Sequence, residues 1–297
     1  MPAADFLRVV DSITPHVNPN KVLVIFTGGE ALVRRDLESV GRALYDRGYP
    51  WGVVTNGMLL DRARLDRLLG AGLHALTVSL DGFEADHNWM RGNPLSFEHA
   101  AAALPMLAAE KEIVWDVVTC ANSRNIGTLE QFKEFLISQG VAGWRIFTVF
   151  PAGRAVDDPQ MQITDEQFVG LMEFLKRTRR EGRIKVDYGC EGFLGRYESV
   201  VRDAFFHCDA GVSVASVLAD GSISACPSIR ANYNQGNIYR DDFMTVWNER
   251  FAPMRDRTWM HRGECASCAM LRYCDGGGMH LRDGEGNLTL CHYRRLR

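Results

Sequence analysis

The stretch Val22-Leu23-Val24-Ile25-Phe26-Thr27-Gly28-Gly29-Glu30 sets the pattern for the first two thirds of the chain. Its first five residues are continuously apolar, which is typical of a strand buried on both faces of a parallel sheet. The strand runs directly into two glycines and an acidic residue. We therefore expect a buried strand whose carboxyl end opens into a glycine-rich turn.

Strand and helix patterns alternate after this point. Further strands are predicted at 51–55, 75–80, 113–120 and 144–150. Helices are predicted at 3–16, 36–47, 61–71 and 96–109, from 128 onward, and at 164–180, with Asp61 as an N-cap and capping boxes at 128–131 and 164–167. This alternation predicts an α/β fold with parallel strands.

Small and polar residues follow the predicted strands. They are Gly28, Gly29 and Glu30, then Thr55, Asn56 and Gly57, then Ser79, Asp81 and Gly82, then Cys120 and Asn122, then Pro151 and Arg154. Each one alone is explained equally well as a turn or cap residue. Because the carboxyl ends of parallel strands meet on one face, five such ends together predict a ligand site.

The pattern changes near residue 184. A strand at 184–188 is followed by a predicted hairpin, in which Asp220-Gly221 joins 212–218 to 222–225, and by a short helix at 242–250. The rest is rich in glycine and cysteine. We expect two domains, a barrel at 1–183 and a smaller metal-bound domain at 184–297.

Four cysteines near the end of the chain have the spacing of a soft-metal site. Cys265, Cys268, Cys274 and Cys291 are separated by two, five and sixteen residues. Four thiolates suit zinc or an iron–sulfur cluster equally well. A structural zinc ribbon and a redox cluster therefore both stay open on spacing alone.

Composition excludes several classes of function. The chain has 297 residues and a net charge of −3, so it lacks the basic surface of a nucleic-acid binder. No apolar run is long enough to predict a membrane span. Eight cysteines without a visible export signal favour a reducing cytoplasm and metal ligation over disulfides.

The strand ends and the cysteines together resemble one family, the radical S-adenosylmethionine (SAM) enzymes with a C-terminal SPASM domain. The matching segments are Thr27-Gly28-Gly29-Glu30, Thr55-Asn56-Gly57, Ser79-Leu80-Asp81-Gly82, His87 and Arg91-Gly92. Cys208, Gly221 and Cys226 fit the SPASM spacing, with twelve and four residues between them, and Cys265, Cys268, Cys274 and Cys291 continue it.

The resemblance implies a partial (β/α)6 TIM-like barrel with parallel strands and a small cysteine-rich domain, and the cofactors SAM and [4Fe–4S]. In the family, reductive cleavage of SAM yields a 5′-deoxyadenosyl radical that abstracts hydrogen from the substrate. The resemblance implies that Gly28 and Gly29 allow close approach of the cofactor and that Glu30 lies near its ammonium group. Ser79, Asp81 and Asn122 are further candidates for polar contacts with SAM.

The resemblance also implies two groups of metal ligands. Cys265, Cys268, Cys274 and Cys291 would hold a complete auxiliary cluster. Cys208, Cys226 and, by position, Cys190 would hold a second one, for which the family pattern expects a fourth cysteine at Gly278. An open iron or a nearby histidine, His280 or His292, could complete that cluster, or the cluster is lost and Cys190 is a packing residue.

The family's Cys-x3-Cys-x2-Cys loop, which holds the catalytic cluster, does not occur in this sequence. It would precede Met1, together with a first strand, so we expect an N-terminally truncated form that is inactive in SAM cleavage as it stands. The resemblance predicts an enzyme that modifies a peptide or another small substrate, served by a reductant protein. The alternative is an inactive relative that binds metal, transfers electrons or binds a partner.

Overall fold

The computed structural model describes residues 1–297, except the side chain of Arg154. The predicted role of Arg154 at a strand end therefore lies outside the described residues. The chain forms two compact units. The strand–helix unit comprises 16–147 and 173–188, and the cysteine-rich unit comprises 1–15, 148–172 and 189–297. These bounds differ from the predicted 1–183 and 184–297 because residues 1–15 and 148–172 group with the C-terminal region.

A six-stranded parallel sheet organises the strand–helix unit and confirms the predicted α/β class. Its strands, in spatial and chain order, are β1 Val24–Phe26, β2 Trp51–Thr55, β3 Leu73–Ser79, β4 Val114–Ala121, β5 Gly143–Thr148 and β6 Lys185–Tyr188. The helices of the chain are α1 Ala3–Ile13, α2 Leu37–Asp46, α3 Arg62–Gly70, α4 Glu84–Arg91, α5 Ser96–Ala108, α6 Leu129–Ser138, α7 Asp165–Glu181, α8 Phe243–Glu249, α9 Ala252–Arg255 and α10 Leu271–Cys274.

Two expectations about strands were wrong. The run at 184–188, predicted to open the second domain, is the sixth strand of the sheet and pairs in parallel with β5. The first strand is not buried on both faces, since Leu23 is 48% and Ile25 42% exposed. The reason is that β1 lies at the edge of the sheet and pairs with β2 alone.

Three predicted helix N-caps can be compared with the structure. Asp61 accepts a hydrogen bond from the Arg64 N–H at 2.6 Å, as predicted. The second capping box is also confirmed, with reciprocal bonds between Thr164 and Gln167. The first was wrong, because the Thr128 side chain makes no cap bond and instead donates to the Asn125 carbonyl.

The cysteine-rich unit contains a small antiparallel sheet of β7 Ser216–Val217, β8 Ser222–Ser224 and β9 Gly236–Asn237. The hairpin predicted at Asp220-Gly221 joins its first two strands. Helix α1 packs against α8, with Val9 in a core that includes Phe251. The Tyr239 hydroxyl lies 3.1 Å from an oxygen of Asp5, which ties α1 to the small sheet. Among the described residues, no helix has the length and apolar character needed to cross a membrane.

Candidate functional site

The glycine turn after β1 leaves open space above its backbone. Gly28 has φ +121°, which side-chain-bearing residues rarely adopt. A β-carbon added at Gly28 or at Gly29 would meet no described heavy atom within 4 Å. The turn therefore presents bare backbone to a space that a bound molecule can occupy.

Glu30 connects the end of β1 to the end of β2. Its Oε1 accepts the Thr55 hydroxyl at 2.7 Å and the Leu32 N–H at 2.9 Å, and its Oε2 accepts the Asn56 N–H at 2.7 Å. A carboxylate has about four acceptor positions, so one remains for a cationic ligand. Glu30 is thus held rigidly beside the open glycine turn.

Asp81 is fully buried, and its oxygens already have partners. The Cys120 N–H donates to Oδ1 at 2.9 Å and Arg91 donates to Oδ2 at 2.7 Å, while the Asp81 N–H donates to His87 Nδ1 at 2.9 Å. Burial acts to raise the pKa of Asp81, but the contacts with His87, Arg91 and Cys120 together hold it below its usual value. These contacts favour a positioning role, and a direct contact of Asp81 with SAM stays a prediction.

Two asparagines close the turn after β4. The Asn122 side chain is buried and accepts the N–H groups of Arg124 and Asn125, at 2.9 and 3.2 Å. Asn125 donates to the carbonyls of Asp81 at 2.6 Å and Cys120 at 3.0 Å. Sequence reasoning missed Asn125; its only signal was an asparagine in a strand-to-helix turn.

Ser79 is also buried, at the last position of β3. Burial places both Ser79 and Asn122 among the residues that shape the strand ends. Their predicted contacts with SAM stay predictions.

The four-cysteine site (Cys265, Cys268, Cys274 and Cys291) surrounds one cavity of about 350 Å³ in the cysteine-rich unit. Burial raises the pKa of the Cys274 thiol, and the neighbouring thiols Cys265, Cys291 and Cys268 add to the effect. Burial likewise raises the pKa of Cys291. The fold therefore brings together all four thiols that the sequence grouped.

Four thiols around one cavity suit either zinc or an iron–sulfur cluster. Among the described residues, no three His, Cys, Asp or Glu side chains are placed to hold one metal ion. Zinc draws its thiolates to about 2.3 Å from one centre. A [4Fe–4S] cluster holds them farther apart, because the irons and sulfides lie between them. The assignment of the four-cysteine site to a [4Fe–4S] cluster therefore stays a prediction.

The three-cysteine site (Cys190, Cys208 and Cys226) lies in the same unit. Desolvation of the Cys190 thiol raises its pKa to about 11, with a contribution from the neighbouring thiols Cys226 and Cys208, although the residue as a whole is exposed at the surface. The Met279 N–H donates to Cys208 Sγ at 3.5 Å. The structure thus brings Cys190 to the two cysteines with which the sequence grouped it by position alone.

Gly278 explains why a fourth cysteine is absent here. A β-carbon at this position would lie 2.7 Å from His280 Cε1 and 2.9 Å from the Glu191 carbonyl oxygen. The His280 ring, packed against Phe150 at 5.1 Å between centroids, occupies the space that a side chain would need. Burial lowers the pKa of His280, with the charge of His292 adding and that of Glu191 opposing. Burial thus favours the neutral form of the His280 ring, which lies against Gly278 and Phe150.

Glu191 was missed from the sequence. It is buried, accepts the Thr148 N–H at 3.0 Å and the Thr148 hydroxyl at 2.6 Å, and lies 3.4 Å from His292 Nε2. Because Glu191 follows Cys190 directly, this network fixes one end of the three-cysteine site. The only signal in the sequence was an acidic residue in a glycine-rich loop.

Two family models match the chain on these regions. The radical SAM superfamily matches residues 1–136, and the iron–sulfur cluster-binding domain called SPASM matches 208–269. The chain belongs to the radical SAM superfamily and carries a SPASM domain. It is an enzyme of that class, and its cofactors are SAM and [4Fe–4S] clusters.

Similar curated proteins include heme synthases and mycofactocin maturases. An AdoMet-dependent heme synthase of Methanosarcina barkeri is 24% identical over 278 residues, covering 86% of this chain and 77% of that protein. Mycofactocin maturase MftC of Mycobacterium tuberculosis is 28% identical over 272 residues, covering 85% of this chain and 64% of that protein.

Solved structures share the fold at low identity. The enzyme anSMEcpe with bound AdoMet has a TM-score of 0.72 at 17% identity, covering 99% of this chain and 82% of that one. SuiB of Streptococcus suis bound to its precursor peptide SuiA has a TM-score of 0.68 at 13% identity, covering 96% and 64%. These likenesses agree with the parallel sheet described above.

Proposed function

We propose that this protein modifies a peptide or peptide-derived substrate by hydrogen-atom abstraction. The observation that carries the proposal is the open turn at Gly28 and Gly29 beside the anchored carboxylate of Glu30. When bound, SAM and a [4Fe–4S] cluster would supply the radical chemistry. The residues of this chain supply binding, orientation and exclusion of water.

Each residue of the strand ends has a separate task in this proposal. Gly28 and Gly29 admit the cofactor to the backbone, and Glu30 accepts a charge-assisted hydrogen bond from its ammonium group. Asp81 and Asn122 hold the neighbouring strand ends in place through the contacts described above. Ser79 contributes a hydroxyl at the end of β3.

The Glu30→Gln variant tests the cofactor site. Iron-loaded protein from the longest reading frame that contains this sequence is titrated with SAM, and 5′-deoxyadenosine is measured by chromatography. We expect SAM affinity to fall about tenfold or more, because the amide keeps one acceptor oxygen but loses the charge. Glu98→Gln, an exposed change on α5, is the matched control and should leave affinity unchanged. Equal affinity in the Glu30 variant would overturn the proposed site.

The substrate class rests on the relatives. MftC is a mycofactocin maturase, and SuiB and anSMEcpe have been solved with bound peptides, which supports a peptide substrate here. The heme synthases favour a second candidate, a tetrapyrrole, since their match covers 86% of this chain. Stimulation of 5′-deoxyadenosine formation by a mixed peptide library supports the first candidate. If an iron porphyrin stimulates 5′-deoxyadenosine formation and the peptides do not, the tetrapyrrole replaces the peptide as the proposed substrate.

We also propose a reductant protein as partner and the cytoplasm as compartment. Seven of the eight cysteines fall into the two groups of candidate metal ligands, which favours metal ligation in a reducing compartment over disulfides. A protein that holds clusters and is reduced reversibly, but cleaves no SAM under any condition, would be an electron-transfer relative instead.

A further inference from the structure

Arg282 is a buried cation at the edge of the four-cysteine site. Only 3% of its surface is exposed. Its Nη2 donates to Cys265 Sγ at 3.3 Å and to the Gly276 carbonyl at 2.5 Å, and its Nη1 donates to the Gly286 carbonyl at 3.3 Å. The guanidinium group is thus oriented by two backbone carbonyls towards one sulfur.

No carboxylate balances this charge. None of the ion pairs among the described residues includes Arg282, and its Nε has no hydrogen-bond partner among them. Burying an unpaired guanidinium costs several kcal/mol, so such groups are normally paired. The Cys265 sulfur is the partner in contact that can carry a negative charge. It does so as a thiolate, which is the form that ligates metal.

We infer that Arg282 is a positioning residue that pairs with the Cys265 thiolate and raises the reduction potential of the cluster held by the four-cysteine site. This inference rests on the proposed assignment of that site to a [4Fe–4S] cluster. One-electron reduction adds one negative charge to a cluster. A fixed cation and a hydrogen bond to a ligand sulfur stabilise the reduced form more than the oxidised form.

The Cys208 sulfur of the three-cysteine site provides an internal contrast. It accepts a hydrogen bond from the neutral Met279 N–H at 3.5 Å, while the buried cation beside it, Arg257, donates to the Cys208 carbonyl oxygen at 2.6 Å and not to the sulfur. Charge-assisted hydrogen bonds are roughly twice as strong as neutral ones. Arg282 therefore makes the two groups of cysteines electrostatically different.

The test is an EPR-monitored redox titration of anaerobically reconstituted protein. The variants are Arg282→Met, which removes charge and donors, and Arg282→Lys, which keeps the charge on a shorter-reaching head group. The matched control is Arg272→Gln, an exposed arginine on α10 whose guanidinium lies over Tyr273 at 4.7 Å. We expect a more negative potential in Arg282→Met, a smaller shift in Arg282→Lys and none in Arg272→Gln.

Three results separate the possible failures. Full iron and an unchanged potential in Arg282→Met would overturn the role of Arg282. Wild-type protein without iron at the four-cysteine site would overturn the cluster assignment itself. If the Arg282 variants lose iron, the thermal unfolding of the metal-free proteins is compared with that of wild type. An unchanged unfolding transition supports a role of Arg282 at the Cys265 sulfur. Loss of the transition shows a purely structural role.

Discussion

The four-cysteine site and the three-cysteine site lie in one unit and consist of the same chemical group, yet they differ in completeness. The first surrounds a cavity of about 350 Å³ with four thiols. The second stops at three, because the His280 ring and the Glu191 carbonyl fill the space beside Gly278. The difference shows that a ligand set is decided by the free volume beside the backbone as much as by cysteine spacing.

Loss of one thiol should have the largest effect. We expect Cys268→Ala to remove the cluster of the four-cysteine site, about four irons per chain, since a remaining set of three thiolates binds less tightly. Cys226→Ala should likewise empty the three-cysteine site. Iron and sulfide analysis measures both, with Cys120→Ala on β4 as the control. Equal iron in Cys268→Ala and wild type would contradict the assignment.

We expect the second largest effect from loss of the hydrogen bonds that Glu191 accepts. Glu191→Ala leaves the Thr148 N–H and hydroxyl without their acceptor, so we expect unfolding free energy to fall by about 2–3 kcal/mol. Thermal or urea unfolding of metal-free protein measures this change. Glu191→Gln keeps one acceptor and should lose less. A full effect in the amide variant would show that the charge facing His292, and not the hydrogen bonds, matters.

Filling Gly278 tests the incomplete site directly. Gly278→Cys alone should destabilise the metal-free protein by about 1–3 kcal/mol, because its β-carbon would overlap the His280 ring. Adding His280→Ala removes that overlap and leaves the close Glu191 carbonyl. The double variant should then retain iron at this site longer under a chelator than wild type does. Faster iron loss from the double variant than from His280→Ala alone would contradict this.

The smallest effect is the pH response of Cys190. Its pKa is raised to about 11, so the folded metal-free protein holds a neutral thiol there at pH 8. The stability that this group contributes is present below its unfolded pKa of about 8.5 and is lost as the pH rises towards 11. Alkylation of Cys190 by iodoacetamide, followed by peptide mass spectrometry, should keep accelerating above pH 9. A plateau near pH 9 would show an ordinary thiol.

Local signals predicted much of the strand–helix unit. Apolar runs located β2 at its observed bounds, and Asp61 and the Asp220-Gly221 hairpin behaved as their residue types predict. Helix α4 was missed because it is short and mostly polar. The 184–188 strand was assigned to the wrong unit, since a short strand carries no mark of the sheet it joins.

Prediction of the candidate sites from sequence has the same limit, because local signals do not show which distant residues meet. Motif spacing grouped the cysteines, and the structure brings each group together. The positions of Glu191, Arg282 and Asn125 depend on partners far away in the chain, so composition and periodicity carried no trace of them. The overlap of His280 with the space beside Gly278 likewise required coordinates.

The contact between α1 and the small sheet has a consequence for biosynthesis. Asp5 meets Tyr239 across 234 residues, and Val9 shares a core with Phe251. On the ribosome, α1 emerges early but its binding surface is translated only near the end. At about 5–20 residues per second, the helix waits some ten seconds or more with its apolar face uncovered. That interval makes α1 a natural point of engagement for chaperones during translation.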